Sequence, residues 1–150
     1  MRWSTREIDV RGPRFSAAIT MILLAVAIVV QDTVGLVLVA WQVLAFAVAT
    51  VAGLRWSLYG NLFRFLKRRL GWGPPPATEP EGPPRFAQAC GLVFAGAGLV
   101  AIVLGADLVG WVLVGIVLAL SSLLALTGIC VGCELYLLGE RLRSRGVSSG

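Results

Sequence analysis

The chain has 150 residues, of which 57% are hydrophobic and only 14% are charged. A water-soluble domain has about 25% charged residues, and a chain with a mean hydropathy of +0.85 cannot bury its apolar surface in a water-soluble core. The composition therefore predicts an integral membrane protein. The chain contains no histidine, which excludes imidazole metal sites, histidine-ligated haem and the most common general base.

The net charge of +5 comes from three clusters of basic residues. All 13 lysines and arginines lie within residues 2–14, 55–85 and 141–145. In a membrane protein such clusters are typical of the cytoplasmic side and of contact with anionic lipids. We therefore expect lipid as a partner and no nucleic acid, and we expect both termini and the central loop to be cytoplasmic.

The two apolar spans between these clusters each predict a pair of helices. Phe15–Leu54 and Phe86–Cys133 are too long for one crossing of about 30 Å of hydrocarbon at about 1.5 Å per residue. Apart from cysteine, their ionisable residues are Asp32 and Asp107, so each span is expected to turn at an aspartate that caps the following helix. The predicted fold is an all-α membrane protein of one domain, residues 1–150, with four transmembrane helices.

The first helix is predicted at Phe15–Val30 and the second at about Leu36–Leu54. Residues 55–70 then repeat apolar side chains at steps of three and four, as in an amphipathic helix that lies along the membrane interface. We expect its cations to bind anionic lipid headgroups, and a docking surface for a cytosolic partner is the alternative. These cations are Arg64, Lys67, Arg68 and Arg69.

The second half of the chain begins with a linker, residues 71–84, whose six prolines predict an extended and irregular segment. The third helix is predicted at about Phe86–Leu104 and the fourth at about Val109–Tyr136. Both carry stripes of small residues, which let helices approach closely. We therefore expect the third and fourth helices to pack tightly against each other.

The two halves are related by an internal repeat. Asp32–Val39 and Asp107–Val114 are identical at six of eight positions, and the tripeptide Pro-Arg-Phe at residues 13–15 recurs at residues 84–86. Because each copy crosses the membrane twice, the copies are predicted to be parallel hairpins, related by a pseudo-twofold axis along the membrane normal. The predicted boundaries are about residues 9–70 and 85–145.

Parallel repeats are also found in transporters, so the repeat is compatible with a transport function. An ion or proton pathway usually places a charged or amide side chain near the bilayer midplane, and we expect none there. A small permease made as a homodimer is kept as an alternative function.

The three cysteines are predicted to lie at one face of the membrane. Cys130 lies 19 residues after Trp111, or about 28 Å along a helix. Cys90 lies four residues after Phe86, at the same depth. Cys130 and Cys133 would share a helix face, with Cα atoms roughly 5 Å apart and within the disulfide range. Because the cytoplasm is reducing, a transient redox pair, a sulfur carrier or plain thiols fit better than a permanent disulfide.

The expected position of the pair has opposing effects on its reactivity. The C-terminal end of the fourth helix would disfavour a thiolate, whereas Arg85 or Arg55 nearby would favour one. Packing of small, soft side chains is the plain alternative. The three cysteines and Glu134 lack the histidine or second CxxC that would complete a metal site, so we expect neither a metal nor a cofactor.

Two motifs resemble those of a family of small bacterial membrane proteins, DUF4395, a domain of unknown function. They are Pro84-Arg-Phe-Ala-Gln88 at the start of the third helix and Ala125-Leu-Thr-Gly-Ile-Cys-Val-Gly-Cys133 at the end of the fourth. Members often have an asparagine upstream of the second motif, where this chain has Ser121–Ala125. The resemblance covers most of the chain. It implies a multi-pass protein of the bacterial inner membrane with a role in thiol redox or sulfur transfer.

With this resemblance, we expect exchange of electrons or sulfane sulfur with a soluble thioredoxin-like or rhodanese-like partner. Cys130 is the predicted attacking thiol, Cys133 its partner in the pair, and Cys90 a candidate resolving thiol. Arg85 and Gln88 are candidate orienting groups. The alternative is a non-enzymatic accessory subunit of a larger membrane complex.

Overall fold

The computed structural model describes residues 7–74 and 76–148. Its elements, in chain order, are β1 (Glu7–Asp9), α1 (Arg11–Val30), α2 (Thr33–Val51), a 3-10 turn (Leu54–Trp56), α3 (Leu58–Leu70), β2 (Thr78–Pro80), α4 (Gly82–Val103), α5 (Asp107–Thr127) and α6 (Val131–Ser148). Four of these helices, α1, α2, α4 and α5, are long and apolar enough to cross a membrane. The predicted all-α membrane fold with four transmembrane helices is therefore confirmed.

The aspartates of the two hairpin turns have different roles, although the sequences around them match. In the first, the Asp32 side chain accepts hydrogen bonds from the backbone N–H groups of Val34 (2.8 Å) and Gly35 (3.3 Å), and caps α2 as predicted. The second turn is longer, so Asp107 is already the first residue of α5, and the preceding Ala106 makes no side-chain cap. The predicted cap at Asp107 is therefore wrong. Its carboxylate lies instead in the first turn, where the helix dipole favours negative charge.

The four long helices pack as two interlocked hairpins. α1 packs against its hairpin partner α2 and also against α5, while α4 packs against α5 and also against α2. This reciprocal arrangement agrees with the parallel repeat inferred from the sequence. The core between the hairpins is apolar, with Leu24, Val39 and Val114 fully buried.

Two equivalent arginines join each hairpin to the other. Arg14, in α1, donates a hydrogen bond to the carbonyl oxygen of Ala125 in the last turn of α5 (3.2 Å). Arg85, in α4, donates to the carbonyl oxygens of Thr50 (2.8 Å) and Val51 (3.1 Å) in the last turn of α2. Each guanidinium thus satisfies carbonyl groups that a helix end leaves without an intrahelical partner. These contacts lie where α1 and α4 begin and α2 and α5 end, which we call the basic end of the bundle.

Within each hairpin, a glycine lets the two helices cross at close range. A Cβ atom at Gly35 would lie 2.8 Å from the carbonyl oxygen of Ala27. A Cβ atom at Gly110 would lie 2.6 Å from the carbonyl oxygen of Gly98. Gly35 and Gly110 occupy equivalent positions of the repeat. The repeated sequence therefore encodes the helix crossing of each hairpin as well as its turn.

A polar network is buried around the middle of α2, where the sequence had predicted no amide side chain. Gln42 is fully buried; its amide nitrogen donates to the Thr20 hydroxyl (3.1 Å), and its carbonyl oxygen accepts from the Tyr59 hydroxyl (2.7 Å). Thr20 donates in turn to the carbonyl oxygen of Ser16 (2.9 Å). The prediction was wrong because Gln42 is a single polar residue in a long apolar run. Buried amides need such partners, and these join α1, α2 and α3.

A short ribbon and α3 cover the basic end. β1 and β2 pair antiparallel, with Ile8 opposite Glu79. The linker, residues 71–84, was predicted to be irregular, but it contains β2 and then the first turn of α4. Prolines are tolerated in a first helical turn because its N–H groups have no intrahelical partner. α3 packs against the start of α1, with the ring of Phe63 5.6 Å from that of Phe15.

Asp9 connects β1 to the start of α1 and to α3. Its carboxylate accepts hydrogen bonds from the guanidinium of Arg11 (2.9 Å) and the ammonium of Lys67 (3.0 Å), and its side chain is only 12% exposed. Burial by itself raises the pKa of Asp9, but the hydrogen bonds from Arg11 and Lys67 outweigh burial and lower the pKa to about 2. Asp9 is therefore ionised and paired at neutral pH.

We expect the protein to lose stability on acidification as Asp9 takes up a proton. Because its pKa is about 2 in the folded protein against an ordinary 3.8, its contribution is complete above about pH 4 and is lost as the pH falls towards 2. Asp9→Asn should lower the free energy of unfolding by about 1–3 kcal/mol at neutral pH, since it removes charge-assisted hydrogen bonds. Thermal denaturation in detergent across this pH range measures both effects. If stability depends on pH in the same way in the wild type and in Asp9→Asn, the stabilising role assigned to the Asp9 carboxylate is contradicted.

Gly110→Ala should destabilise the second hairpin. Its methyl group would lie 2.6 Å from a backbone oxygen, so the helices must separate, at a cost of about 1–3 kcal/mol in the free energy of unfolding. The matched control is Gly115→Ala in the same helix, where a Cβ atom meets nothing within 4 Å. Thermal denaturation in detergent compares the two. Equal stability of both variants would show that the close crossing is not required.

Candidate functional site

The last transmembrane helix ends before the cysteine motif and does not run through it. α5 ends at Thr127, Gly128 adopts a left-handed conformation with φ of +80°, and α6 begins at Val131. The backbone N–H of Gly128 donates to the carbonyl oxygen of Leu124 (2.9 Å), as in other helices that end at a glycine. The prediction of one continuous helix over Val109–Tyr136 is therefore wrong. The apolar sequence continues through the break, but the glycine ends the helix.

Cys130 consequently lies at the N-terminal end of a helix, not at the C-terminal end expected from the sequence. Its Sγ atom accepts a hydrogen bond from the backbone N–H of Cys133 (3.2 Å), and its carbonyl oxygen accepts from the N–H of Glu134 (3.0 Å). The sulfur occupies the place of the side-chain oxygen that caps many helices. Cys130 and Cys133 are disulfide-bonded in this structure. In the reduced protein a helix N-terminus stabilises negative charge, which is opposite to the effect expected from a helix C-terminus.

The two cysteines of the motif lie at disulfide-bonding distance, with Cα atoms 5.2 Å apart. This confirms the separation predicted from their spacing in the sequence. Cys133 is only 8% exposed, whereas Cys130 is partly exposed. Of the two residues, Cys130 is therefore the more accessible.

Gly132, between the two cysteines, brings the start of α6 against α4. A Cβ atom at Gly132 would lie 2.7 Å from the Cβ atom of Ala87. One turn later, the ring of Tyr136 lies 5.7 Å from the ring of Phe86. α6 is thus held against the first turns of α4, the helix that carries the third cysteine.

A cavity of about 130 Å³, which we call the thiol cavity, brings three of the predicted site residues together. Cys90, Cys130 and Gln88 all line it. Its other polar side chains are the hydroxyl groups of Thr20 and Ser121, and the rest of its lining is apolar. The sulfur-containing side chains of Cys90 and Cys130 thus share one small and mostly apolar space, whereas Cys133 does not line it.

Arg85 and Arg14 bind the ends of two different helices near this site. Arg85, the predicted orienting group, does not line the thiol cavity and binds the end of α2, so its role at the cysteines stays a prediction. Arg14 was missed, although it binds the last turn of α5 and its guanidinium carbon lies 3.8 Å from where a Cβ atom of Gly128 would be. The repeated Pro-Arg-Phe tripeptide was the signal that could have identified Arg14 as the counterpart of Arg85.

The four cations predicted to bind lipid have different surroundings. Lys67 is paired with Asp9, and Arg64 is partly buried beside it. Arg68 and Arg69 are exposed on the far part of α3. Lipid binding stays a prediction for all four, and the two exposed arginines are the most accessible to a headgroup.

Within residues 7–74 and 76–148, no three cysteine, aspartate or glutamate side chains are grouped closely enough to hold a metal ion. Around Cys130, the structure provides a partly exposed cysteine whose sulfur accepts a hydrogen bond at a helix N-terminus, next to a buried second cysteine.

In the reduced protein, we expect Cys130 to be alkylated faster than Cys90. Both thiols line the thiol cavity, but Cys90 lies within α4, whereas Cys130 gains the stabilisation of a helix N-terminus, and about 1 kcal/mol of stabilisation corresponds to roughly fivefold more thiolate. Iodoacetamide labelling of Cys133→Ser at neutral pH, followed by peptide mass spectrometry, compares both thiols in one sample. Denaturation is the control and should make the rates equal. Equal rates in the folded protein would contradict the capping effect.

Comparison with known proteins identifies the family. A family model described as Domain of unknown function (DUF4395) matches residues 8–141, which is most of the chain. No curated protein and no solved structure matches the chain. The family match agrees with the two motifs and with the paired hairpins. The chain therefore belongs to the DUF4395 family.

Proposed function

We propose that this protein carries out thiol–disulfide exchange at the membrane, with Cys130 as the attacking thiol and Cys133 as its partner. The observation that carries the proposal is the helix break, because it makes Cys130 the capping residue of α6 at disulfide distance from Cys133. A helix N-terminus favours the thiolate, which is the nucleophilic form of cysteine. The proposed partner is a soluble thioredoxin-like protein that approaches the partly exposed sulfur of Cys130.

The exchange proceeds in two reversible steps. The thiolate of Cys130 attacks a disulfide of the partner, forms a mixed disulfide, and releases the second sulfur of the partner as a thiolate. The thiolate of Cys133 then attacks Cys130, which forms the intramolecular disulfide and releases the partner as a dithiol. Burial of Cys133 suits this role, because Cys133 only needs to reach the mixed disulfide beside it. Cys90, which lines the same cavity as Cys130, is the candidate to resolve the mixed disulfide in its place.

Sulfane sulfur transfer is a second form of the same chemistry. The Cys130 thiolate would attack the outer sulfur of a persulfide on a rhodanese-like partner, take that sulfur as its own persulfide, and release the partner as a thiolate. The same capped sulfur supports both forms, since each requires a nucleophilic thiolate at an accessible position.

A cytoplasmic location for the site is part of the proposal. The arginines that join the hairpins and those of α3 are concentrated at the basic end, which also carries the cysteine pair. Basic residues beside membrane spans favour the cytoplasmic side. In a bacterial inner membrane, the cysteines would then meet soluble partners of the cytoplasm.

Replacing Cys133 by serine should trap the mixed disulfide. A single-cysteine thioredoxin, activated as its thionitrobenzoate disulfide, should form a covalent complex with Cys130 that the wild-type protein resolves through Cys133. We expect at least about tenfold more complex with Cys133→Ser than with wild type, in inverted vesicles but not in right-side-out vesicles. Gel electrophoresis without reductant measures the complex.

The controls separate the two parts of this proposal. Cys130→Ser should form little complex, and Cys133→Ser combined with Cys90→Ser should form at least as much as Cys133→Ser alone, with any excess measuring resolution by Cys90. Complex formation that persists in Cys130→Ser would sink the assignment of the attacking thiol. Complex formation only in right-side-out vesicles would overturn the cytoplasmic location and leave the thiol chemistry in place.

A further inference from the structure

The thiol cavity extends from the basic end into the membrane-spanning part of the bundle. Its lining on α5 begins at Leu124, near the end of that helix, and continues to Val117, about 10 Å deeper along the axis. Cys130 lines the cavity and follows the end of α5, so its sulfur belongs to the basic end. The cavity is therefore a space in the hydrocarbon region with a reactive sulfur at its outer end.

One wall of the thiol cavity is also part of the outer surface of the bundle. Phe94 and Leu120 line the cavity, yet they are 36% and 37% exposed. They belong to α4 and α5, two of the helices that can cross a membrane. Side chains on the uncovered surface of such helices contact lipid. The cavity is thus separated from the bilayer by side chains and not by another helix, and a molecule dissolved in lipid can enter it sideways.

Two polar side chains of the thiol cavity are available to a ligand. Within the residues that the structure describes, no protein group hydrogen-bonds to the amide of Gln88 or to the hydroxyl of Ser121. The Thr20 hydroxyl, by contrast, already bonds to Gln42 and to the carbonyl oxygen of Ser16. Buried polar groups are normally bonded. Gln88, in α4, and Ser121, in α5, therefore provide donors for a mostly apolar ligand that carries hydrogen-bond acceptors.

The proposed thiol chemistry needs an electron acceptor or donor besides the soluble partner. Thiol–disulfide exchange moves a disulfide from one protein to another and produces no net oxidation. A dithiol releases two electrons and two protons when it becomes a disulfide, and a quinone takes up the same number when it becomes a quinol. Both the quinone and the quinol are uncharged, so an apolar cavity accommodates either form without the cost of burying a charge.

We propose that the thiol cavity binds a lipid-soluble quinone, which oxidises the dithiol of Cys130 and Cys133 to the disulfide. The carbonyl oxygens of the ring accept hydrogen bonds from Gln88 and Ser121, and the apolar tail leaves the cavity towards lipid beside Leu120. This inference rests on the thiol–disulfide exchange proposed above and names its electron acceptor. The exchange then runs in the direction in which the soluble partner arrives as a dithiol.

The oxidation is balanced by one quinone for each disulfide. The thiolate of Cys130 attacks a ring carbon of the quinone and forms a C–S bond, while an electron pair moves to a carbonyl oxygen, which takes up a proton. The thiolate of Cys133 then attacks the sulfur of Cys130, so that the S–S bond forms as the C–S bond breaks. The released electron pair returns to the ring, and the second oxygen takes up a proton to complete the quinol. The two protons equal those that the two thiols have lost.

Protection of Cys90 measures binding without any redox step. In the oxidised protein Cys90 is the free cysteine, and it lines the thiol cavity. Decylubiquinone should slow the labelling of Cys90 by N-ethylmaleimide in the full-length protein in nanodiscs, about tenfold at ten times its dissociation constant. Decan-1-ol, which has the same tail without the ring, should not slow it. Both measurements use the wild-type protein and so do not depend on the folding of a variant.

Variants of the two donors test the contacts with the ring. Ser121→Ala and Gln88→Leu should each raise the concentration of decylubiquinone that gives half protection by about three- to tenfold, as loss of one neutral hydrogen bond implies. Ser122→Ala is the matched control, because the Ser122 hydroxyl donates to the carbonyl oxygen of Leu118 (2.7 Å) and does not line the cavity. It should leave the half-protecting concentration unchanged.

A single turnover tests the oxidation itself. The reduced protein, mixed with decylubiquinone, should form one quinol for each Cys130–Cys133 disulfide, at a rate that saturates with the quinone. The absorbance of the quinone counts the quinol, and titration of the remaining thiols counts the disulfide. Ser121→Ala should require more quinone for half the maximal rate, whereas Ser122→Ala should behave as the wild type.

The outcomes distinguish this inference from the proposed function. Equal protection by decan-1-ol would show that lipid chains fill the cavity and would overturn the quinone site, as would unchanged half protection in both donor variants. Protection without quinol formation would overturn the role of electron acceptor. So would saturable oxidation of the pair by cumene hydroperoxide but not by the quinone.

The trapping experiment with Cys133→Ser is independent of the quinone. A trapped thioredoxin complex in a protein whose Cys90 decylubiquinone does not protect would overturn the quinone site and leave the thiol exchange standing. Protection and quinol formation in a protein that traps no thioredoxin would overturn the exchange with a soluble partner and support the quinone site.

Discussion

The helix break at Gly128 is the constraint on which the rest of the site depends. In an uninterrupted helix, the sulfur of Cys130 would lie beside backbone N–H groups that are already bonded, and the nearest helix end would be a C-terminus, which disfavours a thiolate. The positive φ of Gly128 ends α5 and leaves the first N–H groups of α6 available to the sulfur. Arg14 stabilises the same break from α1, because it binds the last turn of α5.

The repeat places a glycine with positive φ after the second long helix of each half of the chain. Gly53 in the first repeat corresponds to Gly128 in the second, and both adopt positive φ, +99° and +80°. In each repeat this glycine follows the second long helix, directly after Thr127 in α5 and two residues after Val51 in α2, and a new helix begins shortly after it. A side chain caps each new helix: the Ser57 hydroxyl accepts from the N–H of Gly60 in α3, and the sulfur of Cys130 has this role in α6. The two caps stand at different positions of the repeat, since Ser57 corresponds to Gly132 and Cys130 corresponds to Arg55, so the cysteine cap belongs to the second repeat alone.

Local patterns predicted the transmembrane spans and the separation of the paired cysteines, because apolar length, clustered charge and residue spacing act within one element. The missed features depend on single residues or on distant contacts. Gly128 ends a helix inside a run that stays apolar on both sides, so hydropathy shows no boundary there. Gln42 is one polar residue whose partners come from other helices. The ribbon joins Glu7–Asp9 to Thr78–Pro80, and no local pattern encodes such a pairing. The thiol cavity is likewise formed by residues from five helices.

Packing and chemistry are separated along the axis of the bundle. The middle is filled by fully buried side chains such as Leu24 and Val114, and its buried amide, Gln42, is bonded within the protein. A membrane-spanning segment has to satisfy its polar groups internally, so a reactive thiolate or a charged ligand cannot be accommodated there at low cost. Helix ends differ from the middle of the bundle, because they leave backbone N–H and C=O groups without intrahelical partners. At the basic end, N–H groups of this kind contact the sulfur of Cys130 and carbonyl groups hold the arginines that lock the hairpins together. The same property of helix ends thus accounts for both the stability of this end and the chemistry proposed for it.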